Sequence, residues 1–383
     1  MKYRTIGKTD MAASVIGLGG EHLATGPYET VETVVNTALD LGINIIDVFM
    51  PGKTARENFG RALGGRRQKT LIQGHICSTD INEQYDVSRH LPTVQKYFDD
   101  LLKCLKTDYI DIGMLFFVDS EKDFSDVFEG EILPYAQNLK KKGIIRAIGA
   151  SCHNPVTAKR IVETGAVDLI MFSINPAFDM APAQTDILNY LEDAPMDFEK
   201  KLDKDRAALY RLCEQRQVSI TVMKAFAAGK LLSPKHTPFN APMTAAQCIH
   251  YALTRPAVAS AIIGCSNKEE VLEAAAYLDK SESELDYSAV LKDFQGDFRG
   301  NCVYCSHCQP CPAALDIAGI HKYLDIALLD AAAVPPSVAA GYRALGRAAG
   351  ECAACGDCER RCPFSVPVIE NMKKAAALFE NRA

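Results

Sequence analysis

The sequence lacks the features that would direct it to a membrane, to nucleic acid or out of the cell. No apolar run approaches the ~18 residues that a membrane-spanning helix needs, and the opening MKYRTIGKTD has no apolar signal core. Its 42 basic residues are outnumbered by 48 acidic ones, which gives a net charge of -6. This balance does not favour nucleic acid as a partner. We therefore expect a cytoplasmic protein that binds neither membranes nor nucleic acid.

The composition is that of an ordinary globular protein with one unusual region. Hydrophobic residues make up 48% of the chain and charged residues 23%, and 383 residues are enough for one large domain and one small one. The unusual region is the last part of the chain, where eight of the 14 cysteines fall into two runs. The runs are Cys302, Cys305, Cys308, Cys311 and Cys352, Cys355, Cys358, Cys362.

The spacing within the two runs predicts two 4Fe–4S clusters. The second run matches the bacterial ferredoxin pattern C-x2-C-x2-C-x3-C-P, and the first differs only in a last spacer of two residues. Structural zinc uses separated C-x2-C pairs and does not call for a third cysteine at the same spacing or for a terminal Cys-Pro. Disulfides are disfavoured because the other six cysteines are scattered through apolar segments. These six are Cys77, Cys104, Cys152, Cys213, Cys248 and Cys265.

The fourth cysteine of each run is expected to bind the other cluster, as it does in two-cluster ferredoxins. Cys362 would then share a cluster with Cys302, Cys305 and Cys308, and Cys311 would share one with Cys352, Cys355 and Cys358. Two helical patterns separate the runs, over 316–333 and 337–349, and no strand pattern intervenes. The segment is similar to the helical class of two-cluster ferredoxin domain that is fused to redox enzymes.

Before these runs, short apolar stretches alternate eight times with longer helical patterns. Repeated β-then-α units predict a parallel sheet covered by helices, and eight of them predict a closed (β/α)8 TIM barrel. An open doubly wound sheet is disfavoured because the first strand is not followed by a G-x-G-x-x-G turn. The predicted strands are Ser14–Gly19, Ile43–Val48, Thr70–His75, Ile110–Phe116, Ile145–Ala150, Asp168–Ser173, Val218–Met223 and Ala259–Gly264.

Several motifs resemble the aldo-keto reductase superfamily, and more closely its branch with a C-terminal ferredoxin-type domain. The motifs are YRTIGKTD with SVIGLGG near the start, GINIID, KTDYIDI, KKKGIIRAIGAS, VMKAFAAGKL and IIGCSNKEEV. The resemblance covers essentially the whole length. It implies a barrel domain over 1–282 and an α-helical ferredoxin-type domain over 283–383.

The resemblance also implies an Asp–Tyr–Lys–His tetrad for carbonyl reduction, of which this sequence keeps one member. Asp47 matches the family aspartate, but Gly52 stands where the tyrosine is expected and His75 replaces the lysine. Phe116 or Phe117 replaces the histidine. The usual proton donor is therefore missing.

The nicotinamide site that the resemblance implies is depleted as well. The Ser-Asn pair after the fifth strand is Ser151-Cys152, the glutamine of the sixth strand is Met171, and the aromatic after the seventh is Met223. At the eighth, Ser266 and Glu273 are kept, with Ala274 where asparagine is usual. The residues that could still contact a cofactor are Gly19, Gly20, Ser151, Asn175, Lys224 and Ser266.

Active sites of such barrels lie at the carboxyl ends of the strands. Asp47 and His75 end neighbouring strands, and an imidazole beside a carboxylate can give or take a proton near neutral pH. The alternative is that His75 fills the lysine's space without doing chemistry. His153 is a further catalytic candidate, and Lys224 could anchor a phosphate or carboxylate. Glu21, His22 and Asn154 complete the polar positions, and the polar insertion 180–204 could cover the substrate.

The function expected from these features is an iron–sulfur oxidoreductase. Electrons from a ferredoxin-like donor would pass through two 4Fe–4S clusters to a small organic substrate in the barrel, with a flavin or NAD(P)H as the open question for the barrel cofactor. One alternative is an NAD(P)H-dependent carbonyl reductase with a rebuilt tetrad. Another is a non-catalytic electron-relay or redox-sensing protein.

Overall fold

Eight parallel strands close into a barrel. The computed structural model describes residues 1–81, 84–183, 203–292 and 300–380. The barrel strands follow one another around the ring in chain order, with neighbouring strands parallel and the last paired to the first. They are β3 Ile16–Gly19, β4 Ile45–Val48, β5 Leu71–Ile76, β8 Ile110–Leu115, β9 Ile145–Cys152, β10 Leu169–Ser173, β11 Ser219–Met223 and β12 Val258–Gly264. The (β/α)8 barrel predicted from the sequence is confirmed.

Two hairpins lie outside the ring. They are β1 Tyr3–Thr5 with β2 Ala12–Ser14, and β6 Ser78–Ile81 with β7 Gln84–Val87. The first hairpin closes the amino-terminal end of the barrel, because Ile6, Met11 and Ala13 share one buried cluster with Ile45 and Leu71 of the barrel strands. That end is therefore sealed, and access to the interior is left to the carboxyl ends of the strands.

The helices that the structure describes within the first 292 residues form the outer layer. They are α1 Tyr28–Asp40, α2 Lys53–Leu63, α3 Leu91–Leu105, α4 Glu121–Phe124, α5 Ile132–Lys141, α6 Pro155–Glu163, α7 Pro176–Asp179, α8 Lys204–Arg216, α9 Ala245–Thr254, α10 Lys268–Ala276, α11 Glu282–Leu285 and α12 Ser288–Lys292. Their boundaries are chemically marked. Thr244, for example, accepts from the backbone N–H of Gln247 while Gln247 bonds back, which is a capping box.

The carboxy-terminal part is helical. Its helices are α13 Ile317–Ala327, α14 Pro336–Arg343, α15 Asp357–Arg361 and α16 Val368–Phe379. Residues 300–380 contain no strand, as the sequence predicted, although α13 ends six residues earlier than its pattern suggested. This part contacts α8, and one buried cluster runs from the barrel through Tyr287 to Val303 and Leu315. A continuous apolar core therefore joins the two parts.

No helix among the described residues is long and apolar enough to cross a membrane. The insertion after β10, expected as a cover for the substrate, lies mostly outside the described residues. Asp203 at its end is described, and its side chain caps α8 by accepting from the N–H groups of Asp205 and Arg206.

Candidate active site at the barrel mouth and the cysteine loops

A buried carboxylate with two polar neighbours lies inside the barrel near its carboxyl end. His75 Nε2 is 2.8 Å from Asp47 Oδ1, and Gln73 Nε2 donates to the same oxygen at 2.9 Å. Gln73 also reaches Met171 Sδ at 3.8 Å, across the ring from β5 to β10, so these side chains point inward. The register pairs Asp47 with Gln73 on adjacent strands. The structure thus brings together Asp47 and His75, and it adds Gln73, which the sequence reasoning missed. We refer to Asp47, Gln73 and His75 as the His75 group.

The His75 ring has one unused nitrogen. His75 is 2% exposed, and among the described residues its Nδ1 has no hydrogen-bond partner, nor has Gln73 Oε1. Buried polar atoms without partners are rare and call for an explanation such as a bound ligand or water. Aromatic rings border this imidazole, with Phe116 at 5.1 Å and Phe49 at 6.0 Å between ring centroids. The arrangement suits a small polar ligand atom inside an otherwise apolar wall.

A second polar group is centred on His153. Its Nδ1 is 2.8 Å from Asp119 Oδ2, its backbone N–H donates to Asp119 Oδ1, and its Nε2 is 2.7 Å from Lys224 Nζ. Phe116 and Phe117 lie between the two groups, with Phe117 5.3 Å from the His153 ring. We refer to Asp119, His153 and Lys224 as the His153 group. Sequence reasoning named His153 and Lys224 separately but missed Asp119.

The charges of the His153 group follow from its hydrogen bonds. Burial and the neighbouring Lys224 ammonium lower the pKa of His153, against the opposing effect of Asp119. Burial acts to raise the pKa of the Asp119 carboxyl, but hydrogen bonds from His153 and Cys152 outweigh it and lower that pKa. A neutral His153 would donate from Nδ1 to the carboxylate and accept at Nε2 from the ammonium. The arrangement places an imidazole nitrogen within hydrogen-bond distance of the Lys224 ammonium.

Three residues around this mouth have a strained backbone. Cys77, Phe117 and Lys224 have positive φ values of 79°, 56° and 57°, although none is glycine. Such residues cost about 1–3 kcal/mol each and cluster at functional sites. Arg89 stabilises one strained turn by donating to the carbonyls of Phe116 and Phe117 at 2.8 and 2.7 Å. The strain is consistent with a mouth that is shaped for a ligand.

The position expected for the family tyrosine is open space. Gly52 precedes α2, and a Cβ built on it would meet no described atom within 4 Å. No other side chain of the described mouth supplies a phenol at that place, so the polar groups able to move a proton are those around His75 and His153.

Several predicted cofactor residues are engaged in structural contacts. Asn175 accepts from Phe178 N–H and donates to the Lys224 carbonyl, both at 2.9 Å. Ser151 Oγ accepts from Phe117 N–H at 2.8 Å. A Cβ on Gly20 would stand 2.7 Å from the Asp47 carbonyl oxygen, so close packing already requires a glycine there. Asn154 caps α6 in the same way that Asn175 caps α7. Gly19 lies at the end of β3 with room for ordinary contacts.

The loop after β12 is acidic where phosphates commonly bind in such barrels. Glu270 accepts from the Ser266 backbone N–H at 2.7 Å and from Asn267 Nδ2 at 3.0 Å, so a carboxylate of the chain itself occupies the start of α10. Glu269 lies in the same turn, where Lys268 forms an ion pair with it at 3.8 Å. The His22 ring covers Gly264, because a Cβ there would lie 2.4 Å from the ring. This end of the barrel is unfavourable for a dinucleotide phosphate.

The first set of cysteines predicted to share a cluster lines one cavity. Cys311 of the first run faces this cavity with Cys352, Cys355 and Cys358 of the second run, and Arg361 also lines it. Arg361 donates to the carbonyls of Cys308 and Pro310, both at 2.7 Å, and so fastens the end of the first run to the second. The exchange of Cys311 is the pattern expected for two-cluster ferredoxins.

The second set is also close together. Cys305 is influenced electrostatically by Cys362, Cys308 by Cys305 and Cys362, and Cys302 by Cys305 and Cys308. Cys308 is also influenced by Cys358 of the first set, so the two sets are close to each other. Burial raises the pKa of Cys305 to about 11 and that of Cys308 to about 12, which their own loop's backbone N–H groups oppose. Backbone N–H groups that favour the thiolate in this way would equally stabilise a thiolate that is bound to iron.

The two cysteine loops have the same backbone shape. Two residues after the first cysteine of each run, Tyr304 and Ala354 have positive φ values of 60° and 51°. One residue after the second cysteine, Ser306 and Gly356 have values of 61° and 77°. Non-glycine residues rarely adopt this conformation. Its recurrence at matching positions indicates that the two loops have the same conformational requirement. Successive turns of this kind direct backbone N–H groups towards bound anions.

Within the described ranges, no group of three or more His, Cys, Asp or Glu side chains is arranged to hold a single metal ion. The thiolates of a 4Fe–4S cluster bind four different irons, so they do not have to converge on one point. The six remaining cysteines are buried and free, and burial raises the pKa of Cys265 to about 12 and that of Cys152 well above its usual value. They behave as inert core residues.

Comparison with known proteins agrees with the barrel. The sequence model of the aldo/keto reductase family matches residues 15–247, more than half of the chain. The uncharacterized oxidoreductase YqkF of Bacillus subtilis is 24% identical over 294 residues, which are 71% of this chain and 90% of that protein.

Two solved structures of similar proteins resemble the barrel in fold. The holo form of the aldo-keto reductase AKR11C1 from Bacillus halodurans has a TM-score of 0.59 at 20% identity, over 77% of this chain and 96% of its own. An aldo/keto reductase from Klebsiella pneumoniae, in complex with NADP and acetate, has a TM-score of 0.51 at 18% identity, over 74% of this chain and 91% of its own. The chain belongs to the aldo/keto reductase family and is an oxidoreductase of that type.

Proposed function

We propose that this protein is an iron–sulfur oxidoreductase in which electrons from a ferredoxin-like donor reach a small organic substrate in the barrel through two 4Fe–4S clusters. The observation that carries the proposal is the position of Cys311. It lies in one cavity with Cys352, Cys355 and Cys358, more than forty residues further along the chain, rather than with its own run.

The protein's residues fit two clusters in three ways. Four cysteines line one cavity, the four others are linked by pairwise electrostatic influences, and the two loops share an unusual backbone shape. When bound, a 4Fe–4S cluster accepts and releases single electrons. Because a hydride carries two electrons, a flavin or a substrate that tolerates radical steps is needed to join the two kinds of transfer. The domain boundary near residue 282 belongs to the same proposal.

The barrel residues would supply binding and protons. Asp47 would hold the His75 ring in position through Nε2, which leaves Nδ1 to face a polar atom of the substrate. Asp119 would orient His153 so that its Nε2 exchanges a proton with Lys224. Phe49, Phe116 and Phe117 would exclude water from the space between the two histidines. General acid–base groups of this kind contribute typically 10²–10⁴-fold to a rate.

An NAD(P)H-dependent carbonyl reductase is the rival that the Klebsiella structure with NADP supports. Against it stand Glu270 at the start of α10, the His22 ring over Gly264, and the absence of a tyrosine at position 52. A carboxylate at a helix amino terminus occupies the place that a phosphate would take. We therefore favour electron supply from the carboxy-terminal cysteines.

Oxygen-free purification with cofactor analysis tests the proposal. We expect two clusters' worth of iron and acid-labile sulfide, about eight of each per chain, and reduced clusters that a substrate reoxidises. Flavin released on denaturation would identify the barrel cofactor. Zinc instead of iron, or far less iron, would overturn the proposal. Tight NADPH binding with substrate turnover and no need for the clusters would establish the rival, and reducible clusters without any turnover would indicate an electron-relay protein.

A further inference from the structure

Arg255 is a buried cation at the junction of the two parts. It follows α9, is 3% exposed, and has no carboxylate within ion-pair distance among the described residues. Its side chain instead donates to the Tyr251 carbonyl at 3.2 Å and to Thr254 Oγ1 at 3.1 Å, both within its own helix region. The buried Asp179 carboxylate acts on Arg255 electrostatically from beyond ion-pair distance, and it lies 3.7 Å from Arg206, which shares its charge. Arg255 is therefore only partly compensated, and burying a charge in that way is costly.

The remaining contacts of Arg255 lead to the first cysteine loop. Its Nη2 donates to the Val303 carbonyl at 2.5 Å and to Tyr287 Oη at 3.1 Å, and Tyr287 Oη donates to the same carbonyl at 2.9 Å. The guanidinium also lies over the Tyr304 ring, 4.9 Å from its centroid. Val303 and Tyr304 are the two residues between Cys302 and Cys305. The positive charge is therefore fixed against the backbone of that loop.

This junction continues to the barrel mouth through buried groups. The Tyr287 and Tyr251 rings are 5.2 Å apart, and Tyr251 Oη donates to Asp179 at 2.8 Å. Asp179 N–H donates to the carbonyl of Asn175, whose side chain donates to the Lys224 carbonyl. Lys224 belongs to the His153 group. The first cysteine loop is thus connected to the barrel mouth by contiguous packed groups.

We propose that Arg255 raises the reduction potential of the cluster held by Cys302, Cys305, Cys308 and Cys362, so that this cluster delivers electrons to the barrel. The inference rests on the proposed function. A cluster with four thiolates carries net negative charge, which grows by one when it takes up one electron from its donor. A fixed positive charge nearby stabilises the reduced form and raises the potential. The other cluster has the more exposed setting, since Cys355 is exposed, and would receive electrons first.

The test is an anaerobic redox titration of the full chain, with dithionite as the reductant and the two clusters followed by electron paramagnetic resonance. Arg255→Gln keeps a hydrogen-bond donor for the Val303 carbonyl but loses the positive charge. In this variant we expect the midpoint potential of one cluster to fall and that of the other cluster to stay unchanged. Arg255→Lys should keep both near the wild-type values. Tyr287→Phe, which removes a hydrogen bond without changing charge, should shift the same potential less than Arg255→Gln.

A second variant tests the inference if Arg255→Gln does not fold. Thr254→Asp places a carboxylate beside the guanidinium and should lower the same potential, whereas its neutral partner Thr254→Asn should not. Two clusters with unmoved potentials in Arg255→Gln or Thr254→Asp would overturn the inference, as would equal shifts of both clusters. A wild-type chain without two clusters would instead overturn the proposed function, so the two failures are distinguishable by iron content.

Discussion

The barrel and the carboxy-terminal residues 300–380 use cysteine in opposite ways. The six barrel cysteines are dispersed and buried, and the pKa values of Cys213 and Cys248 are raised by burial. The eight others lie in two short segments whose loops have matching left-handed residues. The comparison shows that the residue type does not identify a ligand. Spacing and the conformation of the surrounding backbone do, because they decide whether thiols can share one site.

The largest expected effect is a loss of iron, which should follow the removal of a cysteine in residues 300–380 but not of a barrel cysteine. Cys358→Ala removes a thiol that lines the cavity with Cys311, and we expect the purified protein to lose about half of its iron. Cys213→Ala removes a buried thiol from α8 and should keep all of it. Iron and sulfide assays under nitrogen measure both variants. Equal iron in the two would mean that the distinction between barrel and loop cysteines is wrong.

The second effect concerns the barrel mouth. His75→Gln keeps a polar side chain near Asp47 but cannot exchange a proton, so we expect turnover to fall by about 10²–10⁴-fold. His236→Gln, at an exposed position, is the matched control and should behave as wild type. The measurement is the rate at which substrate reoxidises the reduced protein. Full activity in His75→Gln would leave this histidine as a space-filling replacement for the family lysine.

The third effect lies where the two parts meet. Burial, followed by the nearby Arg255 charge, lowers the pKa of His250 to about 4. The unfolded chain therefore binds a proton on this histidine at a higher pH than the folded one. The stability that the folded protein gains by keeping His250 neutral is fully present above about pH 6.5. It decreases by roughly 3 kcal/mol as the pH falls towards 4.

His250→Gln should remove part of this acid sensitivity. Denaturant unfolding at pH 7 and at pH 4.5 measures it, and the loss between the two should be smaller in the variant by roughly 2 kcal/mol. The pKa values of His153 and His321 are lowered too, so some sensitivity should persist. An identical loss in variant and wild type would show that His250 does not contribute.

The smallest effect tests the likeness of the two cysteine loops. Gly356→Ala introduces a Cβ at a φ of 77°, and we expect a loss of roughly 1 kcal/mol in unfolding free energy. Ser306→Gly makes the opposite change at the matching position of the first loop and should be neutral to stabilising. If Ser306→Gly instead destabilises as much as Gly356→Ala, the two loops do not share one conformational requirement.

The sequence was sufficient for the architecture because the barrel strands are covered on both faces. All residues of Ile45–Val48 and of Leu71–Ile76 are buried, which produces the apolar runs from which the strands were predicted. The eight predicted strands are confirmed within two residues at every boundary. Helix α2 gave no such signal, because its buried positions include Arg56 and Asn58.

The site was predictable only where its residues end adjacent strands. Asp47 and His75 were expected to meet, and the structure places them 2.8 Å apart. Asp119 lies four residues beyond the end of β8, in a loop whose path no periodicity encodes. Its contact with His153, and the contact of His153 with Lys224 from a strand that is not adjacent, depend on tertiary packing.

The most direct test of the account is an iron count on paired double variants. Cys311→Ala with Cys355→Ala removes two thiols assigned to the same cluster, whereas Cys311→Ala with Cys302→Ala removes one from each. We expect the first pair to keep about half of the iron and the second pair to lose nearly all of it. Equal losses in the two, or a second pair that keeps half, would contradict the exchange of fourth ligands and with it the two-cluster proposal.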